Sequence, residues 1–180
     1  PCIVDATAPI QLTAKRMVWG KYVNCGQTCI APDYLLVDES IKAPLLKALV
    51  EEIKNAYGED ASTAHSYGRI AHQRHFDRLV ELIKGSDLVY GGDSDDKTLY
   101  FGPTLLEVDN TQHPTMAEEI FGPILPVLSY SNESELNPII DTYERPLGFY
   151  VFSKRKKFIK NIFHRYSYGG GVANDTVIQF

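Results

Sequence analysis

The feature that most constrains the fold is the alternation of short apolar runs with longer amphipathic segments. The run YLLV at residues 34–37 is apolar and rich in β-forming residues, which predicts a short buried strand. The segment after it predicts a helix that is capped by Ser40 and stopped by Gly58. Five side chains at four-residue spacing form the stripe of this helix: Ile41, Leu45, Leu49, Ile53 and Tyr57.

The same alternation continues along the chain. Helices are expected at about residues 9–23, 72–84, 133–143 and 154–165, the first of them from the spacing of Leu12, Trp19 and Val23. Pro138 weakens the third helix unless it lies in the first turn. Strands are expected at residues 88–90 and in the segments PTLLEV, LPVLSY, LGFYVFS and GGVANDTV. The sequence therefore predicts one α/β domain with a largely parallel sheet and flanking helices.

Composition restricts the class of protein further. The 180 residues are 44% hydrophobic and 23% charged, which is ordinary for a soluble domain with a full core. A net charge of -5 argues against nucleic acid as a partner. The basic run at residues 154–157 is interpreted as a solvated helix face. Three cysteines, no secretory segment and no apolar run of about 18 residues indicate a reduced, intracellular protein that is not secreted.

The stretch NCGQTCIAPDY holds two of the three cysteines, Cys25 and Cys29. A catalytic thiol must be accessible and partly ionised, and the backbone amides of residues 26–28 can support a thiolate or an oxyanion at Cys29. The alternative is an ordinary buried thiol, which is the commoner role of a free cysteine. A zinc site lacks a second ligand pair, and a redox couple would favour the closer C-x-x-C spacing, so no metal is expected.

A second stretch, AEEIFGPILPV, places two carboxylates before an aromatic residue and a Gly-Pro turn. One acid, Glu118 or Glu119, can accept hydrogen bonds from sugar hydroxyls, and Phe121 can offer a flat face to a ring. The alternative is a charged loop that leads into a buried strand, with Phe121 in the core. The residues alone leave both interpretations open.

Taken together, these motifs resemble a known family. The segments GKYVNCGQTCIAPDYLLV, YGRIAHQRHFDRL, YFGPTLLEVD, EEIFGPILPV, PLGFYVFS and GGGVANDTVIQF occur in the order found in NAD(P)-dependent aldehyde dehydrogenases. They are most similar to the class 3 or fatty aldehyde branch. The resemblance covers essentially the whole chain, and GQTC followed by EEIFGP at this separation is its most specific part.

The resemblance implies roles for four residues. Cys29 corresponds to the nucleophile that attacks an aldehyde, passes through a thiohemiacetal and forms a thioester. Glu119 corresponds to the residue that hydrogen-bonds the nicotinamide ribose, and Phe121 to the one that packs beside the nicotinamide of NAD or NADP. Asn174 resembles an asparagine that lies behind the nucleophile.

The resemblance also implies that other parts of the enzyme lie outside residues 1–180. These parts are the N-terminal cofactor-binding domain, a glutamate base, an oxyanion-hole asparagine and the strand that joins the subunits of a homodimer. We therefore expect a nucleophile-bearing catalytic domain that is cytoplasmic or membrane-associated on the cytosolic side, and inactive alone. The alternatives are a fragment unable to use the cofactor, with at most weak cysteine esterase activity, or a module with a non-catalytic binding role.

Overall fold

The computed structural model describes residues 1–143 and 145–179, and its strands follow the predicted alternation closely. The strands are β1 (Cys2–Val4), β2 (Leu35–Asp38), β3 (Leu88–Tyr90), β4 (Ser94–Asp95), β5 (Tyr100–Phe101), β6 (Thr104–Glu107), β7 (Ile124–Tyr130), β8 (Gly148–Phe152) and β9 (Gly170–Ala173). The α-helices are α1 (Ile10–Tyr22), α2 (Glu39–Tyr57), α3 (Gln73–Leu82), α4 (Leu136–Ile140) and α5 (Lys156–Arg165).

Seven of these strands form one sheet in the order β3-β6-β7-β2-β1-β8-β9. All neighbouring strands are parallel except the edge pair of β3 and β6, which is antiparallel. Strands buried on both faces are typical of parallel sheets covered by helices, and β1, β2 and β8 are almost wholly buried. The predicted α/β fold with a largely parallel sheet is confirmed. The short β4 and β5, which were not predicted, form a separate antiparallel pair between β3 and β6 in the chain.

Strand β1 was not predicted, although it lies in the middle of the sheet. Cys2 is in register with Leu35 of β2 on one side and with Tyr150 of β8 on the other. The strand has only three residues, so neither alternation nor length distinguishes it from a loop in the sequence. Its central place comes from the two longer strands that pair with it.

Helix α1 occupies the predicted position, but the spacing that suggested it does not mark its buried face. Leu12 is 40% exposed and Trp19 is 47% exposed. The buried side chains of the helix are instead Thr13, Ala14, Met17, Val18, Lys21 and Tyr22. The buried face therefore includes a threonine and a lysine, which a search for apolar periodicity ignores.

Individual residues at the helix ends determine where the other helices begin and stop. Asp38, rather than the predicted Ser40, caps α2, because its side chain accepts a hydrogen bond from the Ser40 amide at 3.0 Å. The helix ends before Gly58, as predicted, and Gly58 has a φ of 83°. Helix α4 is shorter than predicted, and Pro138 lies in its first turn. Within the described residues, no helix is both long enough and apolar enough to cross a membrane.

Candidate active site

The candidate site lies at the amino-terminal edge of the sheet, where loops enter four neighbouring strands. The loops before β7, β2 and β8 meet there with Pro1, which precedes β1, because these four strands are adjacent in the sheet. They surround a cavity of about 240 Å³. Its lining includes Pro1, Cys29, Asp33, Tyr34, Met116, Glu119, Tyr143, Leu147 and Gly148. The structure thus brings the predicted nucleophile and the predicted ribose-binding glutamate to one cavity.

A sharp turn after α1 delivers the cysteine loop to this edge. Asn24, Cys25 and Gly26 all have positive φ, at 52°, 57° and 72°. A Cβ atom at Gly26 would lie 2.3 Å from the carbonyl oxygen of Gly122, so only glycine allows these two backbones to touch. Since Gly122 follows Phe121, this contact brings the loop of Cys29 against the loop of Glu119 and Phe121.

The two cysteines of this loop have opposite environments. Cys29 is exposed and lies inside a turn in which the Ala31 amide donates to the Thr28 carbonyl oxygen at 2.9 Å. Cys25 is fully buried, and its Sγ lies 3.8 Å from the Phe101 carbonyl oxygen. Burial raises the pKa of Cys25 to about 11. Only Cys29 of the two is therefore accessible to a reactant in the cavity.

Gln27 holds the cysteine loop in place, a role that the sequence did not indicate. Its Oε1 accepts a hydrogen bond from the Ala71 amide at 2.9 Å, and its Nε2 donates to the Arg69 carbonyl oxygen at 2.9 Å. These bonds connect the loop to the segment before α3. The only sequence signal was the position of Gln27 inside the GQTC motif.

Helix α3 holds the second loop from the outside. Arg78 Nη1 donates to Glu118 Oε1 at 2.8 Å, and Nη2 donates to the carbonyl oxygens of Glu119 and Ile120. His75 Nε2 donates a hydrogen bond to the Phe121 carbonyl oxygen at 2.7 Å. Phe121 has a φ of 51° and its side chain is 37% exposed. The helix thus leaves the Phe121 ring accessible, so the predicted alternative of a core residue does not describe it.

Glu119 lies between two cavities. It lines the cavity of Cys29 and also a neighbouring depression whose lining includes Gln27, His75, Arg78 and Phe121. Partial burial and the nearby negative charge of Asp33 raise the pKa of Glu119, while Lys21 and Arg78 oppose the rise. Among residues 1–143 and 145–179, no side chain donates a hydrogen bond to its carboxylate. Glu119 is therefore available to accept hydrogen bonds from a ligand that spans both cavities.

A buried lysine lies beneath these acids. Lys21 is 1% exposed, and its Nζ has no hydrogen-bond partner within the described part of the chain. Burial lowers the pKa of Lys21 to about 8, although the charges of Asp33 and Glu119 act in the opposite direction. Sequence analysis missed this residue because a lysine on an amphipathic helix is normally solvated.

Asn174 lies elsewhere in the molecule and does not line the cavity of Cys29. Its Oδ1 accepts from the Ser153 amide at 2.9 Å, and its Nδ2 donates to the Ser153 carbonyl oxygen at 3.1 Å. This contact is at the carboxyl end of β8, whereas Gly148 lines the cavity at the amino end, about 16 Å away at about 3.3 Å per residue. The described contacts of Asn174 are structural, and its part in the chemistry stays a prediction.

Comparison with known proteins identifies the class. The profile of the aldehyde dehydrogenase family matches residues 1–179. Aldehyde dehydrogenase family 3 member A2 of Mus musculus is 42% identical over 180 residues, which are 100% of this chain and 37% of that protein. The dimeric NADP-preferring aldehyde dehydrogenase of Canis lupus familiaris is 42% identical over 99% of this chain and 40% of its own length.

A solved structure leads to the same class. The substrate-bound state of Staphylococcus aureus AldH superposes with a TM-score of 0.96 at 40% identity, covering 99% of this chain and 39% of that one. The chain belongs to the aldehyde dehydrogenase family. It spans about two fifths of the length of the relatives named here.

Proposed function

We propose that the protein oxidises aldehydes to carboxylic acids with NAD or NADP, and that Cys29 is its nucleophile. The observation that carries this proposal is that an exposed cysteine and an available glutamate line one cavity. The membership of the chain in the aldehyde dehydrogenase family supports the reaction class.

The chemistry of Cys29 follows from its position. The thiolate adds to the carbonyl carbon of the aldehyde and forms a thiohemiacetal, while the backbone N–H of Cys29 donates to the oxygen that gains charge. NAD(P) bound beside Phe121 would supply the acceptor for the hydride of this carbon. The product on Cys29 is a thioester, and attack by water releases the carboxylic acid and returns the thiol.

The described residues fit a dinucleotide at this position. Glu119 accepts hydrogen bonds from the ribose hydroxyls, since its carboxylate reaches both cavities and receives no hydrogen bond from a described side chain. The ring of Phe121 is exposed and would pack beside the nicotinamide. Arg78 and His75 hold the backbone of this loop and so fix the position of both side chains. Relatives named as NADP-preferring support the choice of cofactor class.

The lining of the cavity favours an apolar substrate. Tyr34, Met116, Tyr143 and Leu147 contribute aromatic and aliphatic surface next to Cys29. A medium-chain, long-chain or aromatic aldehyde would bury its apolar part against these side chains. We propose this substrate class for the site.

We propose further that residues 1–180 act as the nucleophile-bearing domain of a homodimeric enzyme. A separate domain would supply most of the cofactor site, because the sequence has no G-x-G-x-x-G phosphate loop and the chain spans 37% of the Mus musculus relative. A polypeptide limited to residues 1–180 should therefore bind NAD weakly and form little NADH from aldehydes. Robust turnover by that polypeptide would contradict this part of the proposal.

The test compares the two cysteines in the intact protein that carries this sequence. Cys29→Ala should abolish aldehyde-dependent formation of NADH or NADPH, with a loss of at least about 1,000-fold. Cys25→Ala is the matched control, because it removes a buried thiol four residues away. It should retain activity within about fivefold. Equal activity in both variants would overturn the assignment of Cys29.

The exposure of Cys29 also supports a second candidate, a cysteine esterase that needs no cofactor. Hydrolysis of a chromogenic ester without NAD(P) should then disappear in Cys29→Ala. Equal ester hydrolysis in wild type and Cys29→Ala would exclude this activity. If neither aldehyde oxidation nor ester hydrolysis depended on Cys29, a non-catalytic binding role would be favoured.

A further inference from the structure

A buried tyrosine connects the sheet to the residue that follows Cys29. Tyr150 lies in β8 and its side chain has no exposed surface. Its hydroxyl donates a hydrogen bond to the Ile30 carbonyl oxygen at 2.6 Å. Since Ile30 follows Cys29 directly, this bond anchors the chain as it leaves the proposed nucleophile.

The hydroxyl of Tyr150 is itself held in one orientation. Gln179 Nε2 donates to it at 2.9 Å, so the oxygen accepts one hydrogen bond and donates another. Because the Gln179 Nε2 group is a donor and the Ile30 carbonyl oxygen is an acceptor, the hydroxyl proton points toward Ile30. Burial raises the pKa of Tyr150, and the hydroxyl therefore stays protonated at neutral pH.

Gly148 lies directly against this hydrogen bond. A Cβ atom at Gly148 would lie 3.0 Å from the Tyr150 hydroxyl oxygen and 3.3 Å from the Ile30 carbonyl oxygen. Gly148 also lines the cavity of Cys29. A side chain at residue 148 would therefore crowd the hydrogen bond between Tyr150 and Ile30.

Strand β8, which carries Tyr150, is paired with a neighbouring strand on each side. Tyr150 is in parallel register with Cys2 of β1 and with Val172 of β9, so it has a hydrogen-bonded strand on each side. Before the cysteine, the Gln27 contacts hold the loop, and the hydrogen bond from the Ala31 amide to the Thr28 carbonyl oxygen closes a turn that encloses Cys29 and Ile30. Cys29 therefore lies between two anchors, of which only Tyr150 belongs to the sheet.

We propose that Tyr150 is a positioning residue that fixes the Cys29 sulfur in the geometry needed for attack on the aldehyde. It touches neither substrate nor cofactor and acts through the Ile30 carbonyl group. This inference rests on the proposed function. Displacement of a reacting group by about 1 Å can cost up to about 100-fold in rate, so a single anchor of this kind affects turnover more than binding.

The test is Tyr150→Phe in the intact protein, since phenylalanine keeps the ring and removes only the hydroxyl. Tyr130→Phe is the matched control. Tyr130 is 3% exposed and its hydroxyl donates to the Val4 carbonyl oxygen at 3.1 Å, at the opposite edge of the sheet. Both variants lose one buried hydrogen bond to a backbone carbonyl, and Tyr150→Phe also loses the bond from Gln179, so its melting temperature should fall somewhat further than that of Tyr130→Phe.

The two variants should differ in kinetics. Tyr150→Phe should lower kcat about tenfold while the KM for aldehyde and for NAD(P) changes less than about twofold. Tyr130→Phe should leave kcat within about twofold of wild type. A similar kcat for both variants, whether reduced or not, would overturn the proposal, because a purely structural bond would have the same effect at either site.

A second measurement does not depend on activity. Amide hydrogen exchange in residues 28–33 should be at least about threefold faster in Tyr150→Phe than in Tyr130→Phe, because freeing the Ile30 carbonyl loosens this segment. Equal exchange in the two variants would overturn the positioning role even if kcat fell. If the wild-type protein oxidised no aldehyde, the proposed function would fail, and the exchange measurement would still decide whether Tyr150 anchors the Cys29 loop.

Discussion

Asp33 accepts a hydrogen bond from the backbone N–H of Ile120 at 3.1 Å. Asp33 lies four residues after Cys29, and Ile120 lies between Glu119 and Phe121. One side chain therefore connects the loop of the proposed nucleophile to the loop proposed to bind the cofactor. The two loops would otherwise be held together mainly by the contact of Gly26 with Gly122.

The first prediction follows from this bond. Asp33→Ala should raise the KM for NAD(P) about tenfold, since a hydrogen bond to a charged group contributes about 1.5 kcal/mol and its loss separates the Glu119 loop from the cysteine loop. Asp33→Asn retains an oxygen that can accept from Ile120 and should recover most of the loss. Steady-state kinetics with NAD(P) as the varied substrate measures both. Equal KM values in the two variants would contradict the role of the hydrogen bond.

The second prediction concerns the three cysteines. Iodoacetamide at pH 7.5 should label Cys29 at least about 100-fold faster than Cys25 or Cys2, because reaction requires an accessible thiolate. Cys25 is buried with its pKa raised to about 11, and burial also raises the pKa of Cys2. Mass spectrometry of peptides from a labelling time course gives the three rates. Comparable labelling of Cys25 and Cys29 in the folded protein would contradict the exposed and buried assignments.

Much of the fold could be predicted because its signals are local. The stripe of α2 contains Leu45, Leu49 and Ile53, which are all buried, and the stop at Gly58 is a backbone property of that residue. The apolar segments expected to be strands form β6, β7, β8 and β9. Strand β1 was missed because its position depends on pairing with distant strands rather than on its own three residues.

Site residues could be predicted from the sequence only where they belong to a recognisable motif. The motifs GQTC and EEIFGP predicted Cys29, Glu119 and Phe121 as site residues. The loops that carry these residues are adjacent in the structure. The hydrogen bond of Asp33 with Ile120 had no sequence signal, since it depends on β2 lying beside β7. The lining residues place the cavity at the amino edge of the strands, although open parallel sheets usually bind ligands at the carboxyl edge.

The third prediction concerns Asp5, which has no exposed surface at the carboxyl end of β1. Burial alone would raise its pKa, but hydrogen bonds from Arg155, Thr7 and Ser153 outweigh burial and lower it. A carboxylate with a lowered folded pKa stabilises the protein above its unfolded pKa, and this stability is lost as pH falls through the folded pKa. Asp5→Asn should therefore lower the free energy of unfolding by about 3 kcal/mol at pH 7.

The loss in Asp5→Asn should shrink as pH falls below about 4, because Asp5 of the unfolded wild-type chain then takes up a proton that the folded protein binds only at lower pH. Urea unfolding at pH 7 and at pH 3 measures the difference. Asp96→Asn is the control, because Asp96 is exposed, and it should change stability by less than about 0.5 kcal/mol at either pH. A loss in Asp5→Asn that did not depend on pH would argue against the ion pair with Arg155.

The fourth prediction concerns the buried Lys21, whose pKa is lowered by burial from 10.5 to about 8. Below pH 8 the lysine is charged in the folded and unfolded states, so the cost of burying the charge is fully present. Between pH 8 and 10.5 the unfolded state binds more protons, and the contribution of Lys21 to stability improves as pH rises. Lys21→Met should therefore raise the free energy of unfolding at pH 7 by about 3 kcal/mol.

This gain in Lys21→Met should become smaller at pH 9.5, because the wild-type protein then folds with a largely neutral lysine. The control is Lys15→Met on the exposed face of the same helix, which should change stability by less than about 0.5 kcal/mol at both values of pH. Urea unfolding of the two variants and of wild type measures the effect. If Lys21→Met instead destabilised the protein at pH 7, the attraction of Lys21 to Asp33 and Glu119 would exceed the cost of its burial, and the lysine would be a necessary counter-charge beneath the site.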